Sequence, residues 1–216
     1  MLIVEVDGLE EGLEEEARAS EELLSEAGAK EVKRARDDEE RARIWRARKE
    51  AFGAIGQISP SYYVQDGVIP RSSLPEVLDK IAQVGRKFSL TVANVFHAGD
   101  GNLHPLILYR YDIPEEVENA HLAGEEILSI CVEYGGSLSG EHGIGLEKAS
   151  WMDSLYSSED LENMIRVREF FNPGELLNPG KIFPQPGRCA EVKHPAAVQE
   201  GMEKPRMVAA KSGIAV

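Results

Sequence analysis

The chain has 216 residues, 42% of them hydrophobic, and carries a formal net charge of −14. This length suits one large domain or two small ones, with enough apolar residues for a packed core. The acidic balance argues against a nucleic-acid partner, because phosphate binding needs clustered Lys and Arg. No apolar run approaches the roughly 20 residues that span a bilayer, and the first residues do not resemble a signal peptide. Cys131 and Cys189 form no CxxC pair, so the composition predicts a reduced, cytoplasmic protein.

Hydrophobic spacing over the first 55 residues predicts helices and short strands in alternation. Apolar positions recur at helical spacing over residues 10–27, and Gly28 is a typical helix stop. Asp37 and Asp38 are suited to cap a second helix that runs to about Ile55. Residues 2–6 and 31–35 are each predicted to form a short strand.

The remainder of the chain continues this alternation. Helices are predicted at residues 74–84, 114–131 and 151–171, and strands at 62–69, 91–96, 106–109 and 137–139. The strand at 62–69 is interrupted by Asp66 and Gly67. A hairpin through residues 97–104 makes part of the sheet antiparallel, which favours an α+β, ferredoxin-like layer over a doubly wound parallel sheet. Residues 185–216 lack periodicity and are predicted to form a loose tail.

Two histidines flank a glycine-containing loop in the segment His97-Ala98-Gly99-Asp100-Gly101-Asn102-Leu103-His104. If the flanking strands pair with His97 directly opposite His104, the two side chains share one face, with Cβ atoms about 5 Å apart. Two imidazoles at that separation can bind one metal ion. The glycines permit the loop conformation.

A second glycine-rich segment supplies further polar side chains. It reads Gly140-Glu141-His142-Gly143-Ile144-Gly145. Glu141 is the candidate third metal ligand, because a His, His, Glu set with one open position is the usual layout of a catalytic metal. We expect His142 to point away from Glu141 and to act as an acid or base. Neither segment matches a phosphate-binding glycine motif, which argues against a Rossmann turn.

Together these segments resemble the C-terminal domain of FAD-linked oxidases of the vanillyl-alcohol oxidase type. The similar branch includes glycolate oxidases and D-lactate dehydrogenases. The likeness spans residues 1–184 and extends to three further segments: Trp45-x-x-Arg48, 66–70 and 177–181. It implies an antiparallel substrate or cap domain that works with an N-terminal FAD-binding domain. That FAD-binding domain is expected to be absent from this chain and to be supplied by a partner domain or subunit.

The resemblance also implies roles for individual residues. His97, His104 and Glu141 match the ligands of a divalent metal, often zinc, and His142 matches the catalytic base. Arg48 matches an arginine that pairs with the substrate carboxylate. The cofactor would be FAD, with Asn178 and Lys181 in the motif that returns toward the flavin.

The implied reaction is oxidation of glycolate or D-lactate to the 2-oxo acid, with hydride transfer to flavin. Leu106 stands where some relatives place a polar substrate contact, so the particular 2-hydroxy acid stays open. Two alternatives also stay open: a metal-dependent hydrolase using the same site, and a non-catalytic partner subunit. The chain is expected in the cytoplasm, with membrane association through partner subunits and assembly into an oligomer or multi-subunit complex as alternatives.

Overall fold

The computed structural model describes residues 1–184. The predicted tail, residues 185–216, lies outside the described residues. The chain divides into two compact units, one formed by residues 1–58 and the other beginning at Ser59. Within residues 1–184, no helix is both long enough and apolar enough to cross a membrane.

The first unit consists of two helices and irregular segments. Both predicted helices are present, and the Asp37 carboxylate caps the second by accepting a hydrogen bond of 2.8 Å from the amide of Glu40. The strands predicted at residues 2–6 and 31–35 are wrong, since neither segment pairs with another strand. A strand is stabilised only when its backbone groups find partners, which short-range alternation does not supply. The helices are α1 (Glu10–Glu26) and α2 (Asp38–Ile55).

The second unit is built on antiparallel strands in two small sheets. Within the described residues its strands are β1 (Ser61–Val64), β2 (Gly67–Val68), β3 (Thr91–Asn94), β4 (Asn102–Leu103) and β5 (Pro105–Tyr109). The first sheet has the order β1-β5-β3, and the second pairs β2 with β4. Apolar side chains of β5 are fully buried, as expected for a central strand.

Two helices cover this sheet and bury the main core. They are α3 (Leu74–Lys87) and α4 (Pro114–Glu133), which contribute Val77, Ile81 and Ile127 to it. The strand predicted at 137–139 is reduced to one antiparallel bridge, between Ser137 and Val68. That bridge places the 137 segment beside β2, on the far side from β4. The resulting order confirms the predicted α+β class and its ferredoxin-like arrangement of two β-α-β units.

The single helix predicted at residues 151–171 is divided. A short helix, α5 (Met152–Leu155), ends before α6 (Ser158–Phe171) begins. Ser157 causes the break, because its hydroxyl accepts from the amide of Asp160 while the Asp160 carboxylate accepts from the amide of Ser157. This capping box starts a new helix, which hydrophobic spacing alone does not reveal.

Candidate metal and catalytic site

The hairpin β3–β5 brings His97 and His104 together, but not as directly opposite residues. Asn94 pairs with Pro105, and the same register places His97 opposite Asn102. His104 instead lies opposite Val95, whose amide donates to its carbonyl at 3.3 Å. The predicted register was therefore wrong by two residues. Because side chains alternate with a period of two, both histidines still share one face, with ring centroids 5.4 Å apart.

Gly101 is required in the turn that joins the two histidines. Its φ of +72° lies in the left-handed region, and a Cβ atom there would lie 2.1 Å from the carbonyl oxygen of Ile69. The carbonyl of Gly101 also accepts a 3.0 Å hydrogen bond from the amide of Ile69. Only glycine allows both this conformation and this close backbone approach.

The second glycine-rich segment approaches from the side of β2. A Cβ on Gly136 would lie 1.7 Å from the carbonyl oxygen of Val68, so glycine is needed for the bridge between Val68 and Ser137. A Cβ on Gly140 would lie 2.7 Å from the side chain of Asn102. These close approaches place the segment that follows, residues 139–143, against the His97–His104 loop. We call residues 139–143 the acidic loop, because it carries Glu141.

Glu141 and His142 both face His104. The carboxylate oxygen Oε1 of Glu141 lies 3.1 Å from Nε2 of His104 and 3.7 Å from Nε2 of His142. The rings of His104 and His142 stack, with centroids 5.1 Å apart. The expectation that His142 points away from Glu141 was therefore wrong. The loop is a turn rather than a strand, so consecutive side chains need not alternate.

Among the residues that the structure describes, two groups of three side chains have the geometry of metal ligands. One is His97, His104 and Glu141, and the other is Asp66, His104 and His142; in each group the ligand atoms lie within 4.8 Å of one another. Ligand atoms around one tetrahedral ion lie about 3.4 Å apart, so small side-chain movements would close either group on an ion.

His104 provides the strongest indication of a metal site. Its side chain is 4% exposed, and within residues 1–184 its Nε2 atom makes no hydrogen bond, even though Oε1 of Glu141 lies 3.1 Å away. Burial lowers the pKa of His104, an effect that the charge of Glu141 opposes. A buried neutral imidazole nitrogen without a hydrogen-bond partner is the form in which histidine binds a metal. The residues therefore fit a divalent ion.

The hydrogen bonds of Asp66 decide which of the two candidate ligand groups is the better one. Its Oδ2 atom accepts from the Ser139 hydroxyl at 2.6 Å and from the amides of Gly140, Glu141 and His142 at 3.1, 3.2 and 2.9 Å. Those donors commit the carboxylate to the loop, and its Oδ1 atom, which lies 3.6 Å from Nε2 of His104, also accepts from the amide of Glu141 at 3.3 Å. The group His97, His104 and Glu141 is therefore the better candidate, and it is the set predicted from the sequence.

Asp66 and Lys148 are buried charges whose position in the site was not predicted. Asp66 is 0% exposed and Lys148 3%. The Lys148 Nζ atom donates to the backbone carbonyl of Asp66 at 3.1 Å and lies 3.6 Å from its carboxylate. Burial raises the pKa of Asp66, but the Ser139 and His142 hydrogen bonds and the Lys148 charge outweigh it, leaving a lowered pKa. One signal was visible in the sequence: an aspartate that interrupts the strand predicted at residues 62–69.

Asn178 and Lys181 lie near each other in the segment after α6. The Lys181 ammonium donates to Oδ1 of Asn178 at 3.0 Å, and Arg168 fixes the segment by donating to the carbonyls of both residues at 2.6 Å. Lys181 and His142 line one open cavity of about 370 Å³.

Arg48, the predicted carboxylate-binding residue, lies in the first unit. It belongs to α2, where its guanidinium is 5.7 Å from the centroid of the Phe52 ring. Its role in binding stays a prediction.

The chain is similar to a known protein family and to several known proteins. Residues 1–182 match the family model described as FAD linked oxidases, C-terminal domain. The chain is 49% identical over 191 residues to the glycolate oxidase subunit GlcD of Escherichia coli K12, covering 88% of this chain and 38% of that protein. It is 31% identical to GlcD of Bacillus subtilis (87% and 40% covered) and 30% identical to a probable mitochondrial D-lactate dehydrogenase of Danio rerio (84% and 37%). The chain thus spans about two fifths of these relatives.

Proposed function

The chain belongs to the family of FAD-linked oxidase C-terminal domains, and from that premise we propose that it is the substrate-binding part of an FAD-dependent 2-hydroxy acid dehydrogenase. The family membership confirms the resemblance seen in the sequence motifs. The relatives named glycolate oxidase subunits and D-lactate dehydrogenases support glycolate or D-lactate as the substrate. An FAD-binding region, on the same polypeptide or on a partner, completes the proposed enzyme.

One observation carries the proposal: the buried, unbonded Nε2 of His104 lies between Glu141, His97 and His142. His97, His104 and Glu141 would hold a divalent ion, and two imidazoles with one carboxylate suit zinc. Such an ion would supply Lewis acidity that lowers the pKa of a substrate hydroxyl. The exposed side of the group, formed by His97 and Glu141, is where substrate can approach.

Two further residues would act on the substrate, one by accepting its hydroxyl proton and one by binding its carboxylate. His142 would accept the hydroxyl proton, and a bound flavin would supply the acceptor for the hydride on the substrate Cα; base catalysis of this type contributes roughly 10²–10⁴ in rate. Its half-exposed ring, stacked on His104, is open to substrate and next to the proposed ion. Arg48 would hold the substrate carboxylate through two parallel hydrogen bonds. Lys181 and Asn178 would contact the flavin, a role supported by the cavity that Lys181 shares with His142.

The test combines the chain with an FAD-binding region of the family and measures oxidation of glycolate and D-lactate with a dye acceptor. We expect flavin-dependent turnover with at least one of the two. His142→Ala should lose most of this turnover while keeping its metal. His121→Ala removes an exposed histidine of α4 and should change neither property.

Other results would point to other functions. Unchanged turnover in His142→Ala would remove the proposed base. Hydrolysis of simple esters or phosphates without flavin would instead support a metal-dependent hydrolase. No turnover in any combination would favour a non-catalytic subunit. We also propose a cytoplasmic location, with membrane association only through partner subunits; cell fractionation tests it.

A further inference from the structure

We propose that Asp66 is the positioning residue of the site: its buried carboxylate gathers the backbone amides of the acidic loop and thereby fixes where Glu141 and His142 point. The inference deepens the proposed function. Only the part that concerns metal affinity rests on that function. The loop geometry stands independently.

The first step is the convergence of donors on one oxygen. Oδ2 of Asp66 receives the Ser139 hydroxyl and three successive amides, those of Gly140, Glu141 and His142. Successive amides that point at one anion form a nest, here filled by a side chain of the same molecule. The Ser139 hydroxyl also accepts from the amide of Gly143 at 2.7 Å, so the carboxylate reaches a fourth amide through the serine.

The second step is the rigidity of Asp66 itself. Asp66 lies in the short link between β1 and β2 and is fully buried, and the Lys148 ammonium donates a hydrogen bond to its backbone carbonyl. The Lys148 ammonium, 3.6 Å from the carboxylate, balances the buried negative charge. Burial of this ion pair would be costly without further hydrogen bonds. Here the carboxylate of Asp66 accepts from the donors of the acidic loop, and Lys148 donates to the Asp66 carbonyl.

The third step links the nest to the reacting groups. The side chains of Glu141 and His142 are about half exposed, so packing, including the stacking of His142 on His104, holds them only in part. Their backbone amides, however, are fixed by Asp66. The backbone from which the Glu141 side chain extends is therefore fixed, and Oε1 of that side chain lies 3.1 Å from Nε2 of His104. Residues that orient ligands in this way affect metal affinity without touching the metal.

A ligand role for Asp66 is the alternative, because its Oδ1 atom lies 3.6 Å from Nε2 of His104. The two roles of Asp66 predict different effects of removing the Ser139 hydroxyl. If Asp66 positions the loop, removing the Ser139 hydroxyl weakens the site. If Asp66 binds the ion, the same change leaves metal affinity intact, since the carboxylate is still present.

The first experiment measures amide hydrogen exchange over residues 137–145 in the 216-residue chain without added metal. Asp66→Asn keeps the size of the side chain but turns an amide group toward the loop donors. We expect exchange at residues 140–142 to accelerate by at least about tenfold, while α3 and α4 keep their protection. Asp79→Asn, on the exposed surface of α3, is the matched control and should change nothing. Ser139→Ala should give a smaller acceleration at the same amides.

Two outcomes would overturn the proposal. One is unchanged exchange of the acidic loop in Asp66→Asn and Ser139→Ala. The other is acceleration spread evenly over the whole second unit, which would make Asp66 a general stabilising residue. Should Asp66→Asn fail to fold, Ser139→Ala alone decides, because it leaves the buried charge pair in place.

The second experiment measures Co²⁺ affinity of the same variants. Positioning predicts a loss of roughly 10- to 100-fold in Asp66→Asn and a smaller but measurable loss in Ser139→Ala. Wild-type affinity in Ser139→Ala together with lost affinity in Asp66→Asn would identify Asp66 as a ligand and contradict positioning. If the unmodified chain binds no Co²⁺, the metal part of the proposed function fails, whereas the exchange experiment still decides the role of Asp66.

Discussion

The contact between Gly67 and Cys131 fixes β2, and with it Asp66, against α4. A Cβ added to Gly67 would lie 2.5 Å from Sγ of Cys131 and 3.3 Å from its Cβ. Optimal carbon contacts are about 3.5–4.0 Å, so the new methyl group would overlap the sulfur by roughly 1 Å. Cys131 is 0% exposed and belongs to the main core, so its closely packed neighbours resist a shift of its sulfur. We therefore expect Gly67→Ala to lower the free energy of unfolding by about 1–3 kcal/mol.

A double-mutant cycle isolates this contact. Cys131→Ala removes the sulfur and alone should cost about 1 kcal/mol, as for one buried methylene-sized group. In the double variant the methyl group introduced by Gly67→Ala occupies the vacated space, so the stability should match that of Cys131→Ala. Urea unfolding of all four proteins gives the coupling, expected at about 1–3 kcal/mol. Additive costs would refute the reasoning, because they would mean that the two side chains do not compete for space.

Two further predictions concern single groups. Glu40 is paired with Arg36 and Lys33, whose hydrogen bonds lower its pKa from 4.5 to about 2. A lowered carboxyl pKa stabilises the fold above pH 4.5, and this contribution disappears as the pH falls to about 2. Glu40→Gln should therefore lower the urea midpoint at pH 7 but not near pH 2; an equal difference at both would contradict this. Burial raises the pKa of the Cys131 thiol to about 12, so iodoacetamide should label it in a Cys189→Ser background only after unfolding, and rapid native labelling would be the contrary result.

The sequence was sufficient to predict that His97 and His104 meet, and the family resemblance added Glu141 to them. The two histidines are close along the chain, and a hairpin brings both to one face for any register that shifts by an even number of residues. The two histidines are therefore close together, as predicted, although the predicted register was wrong. The actual register follows from the bridge between His97 and Asn102, which the turn around Gly101 determines.

Asp66 could not be placed in the site from sequence, because its partners lie far along the chain. The acceptor and its donors are separated by 73 to 76 residues, and Lys148 is 82 residues away. A contact between residues so far apart leaves no local pattern in the sequence. The wrongly predicted strand at residues 2–6 failed for the related reason that strand pairing is also non-local.

Cobalt titration of the 216-residue chain tests the central claim, that His97, His104 and Glu141 hold one divalent ion. The visible absorption of bound Co²⁺ should saturate at one ion per chain. It should be lost or strongly weakened in His97→Ala and in Glu141→Gln, and it should be retained in His121→Ala. Saturable binding that survives His97→Ala and Glu141→Gln, or that disappears equally in His121→Ala, would contradict the account.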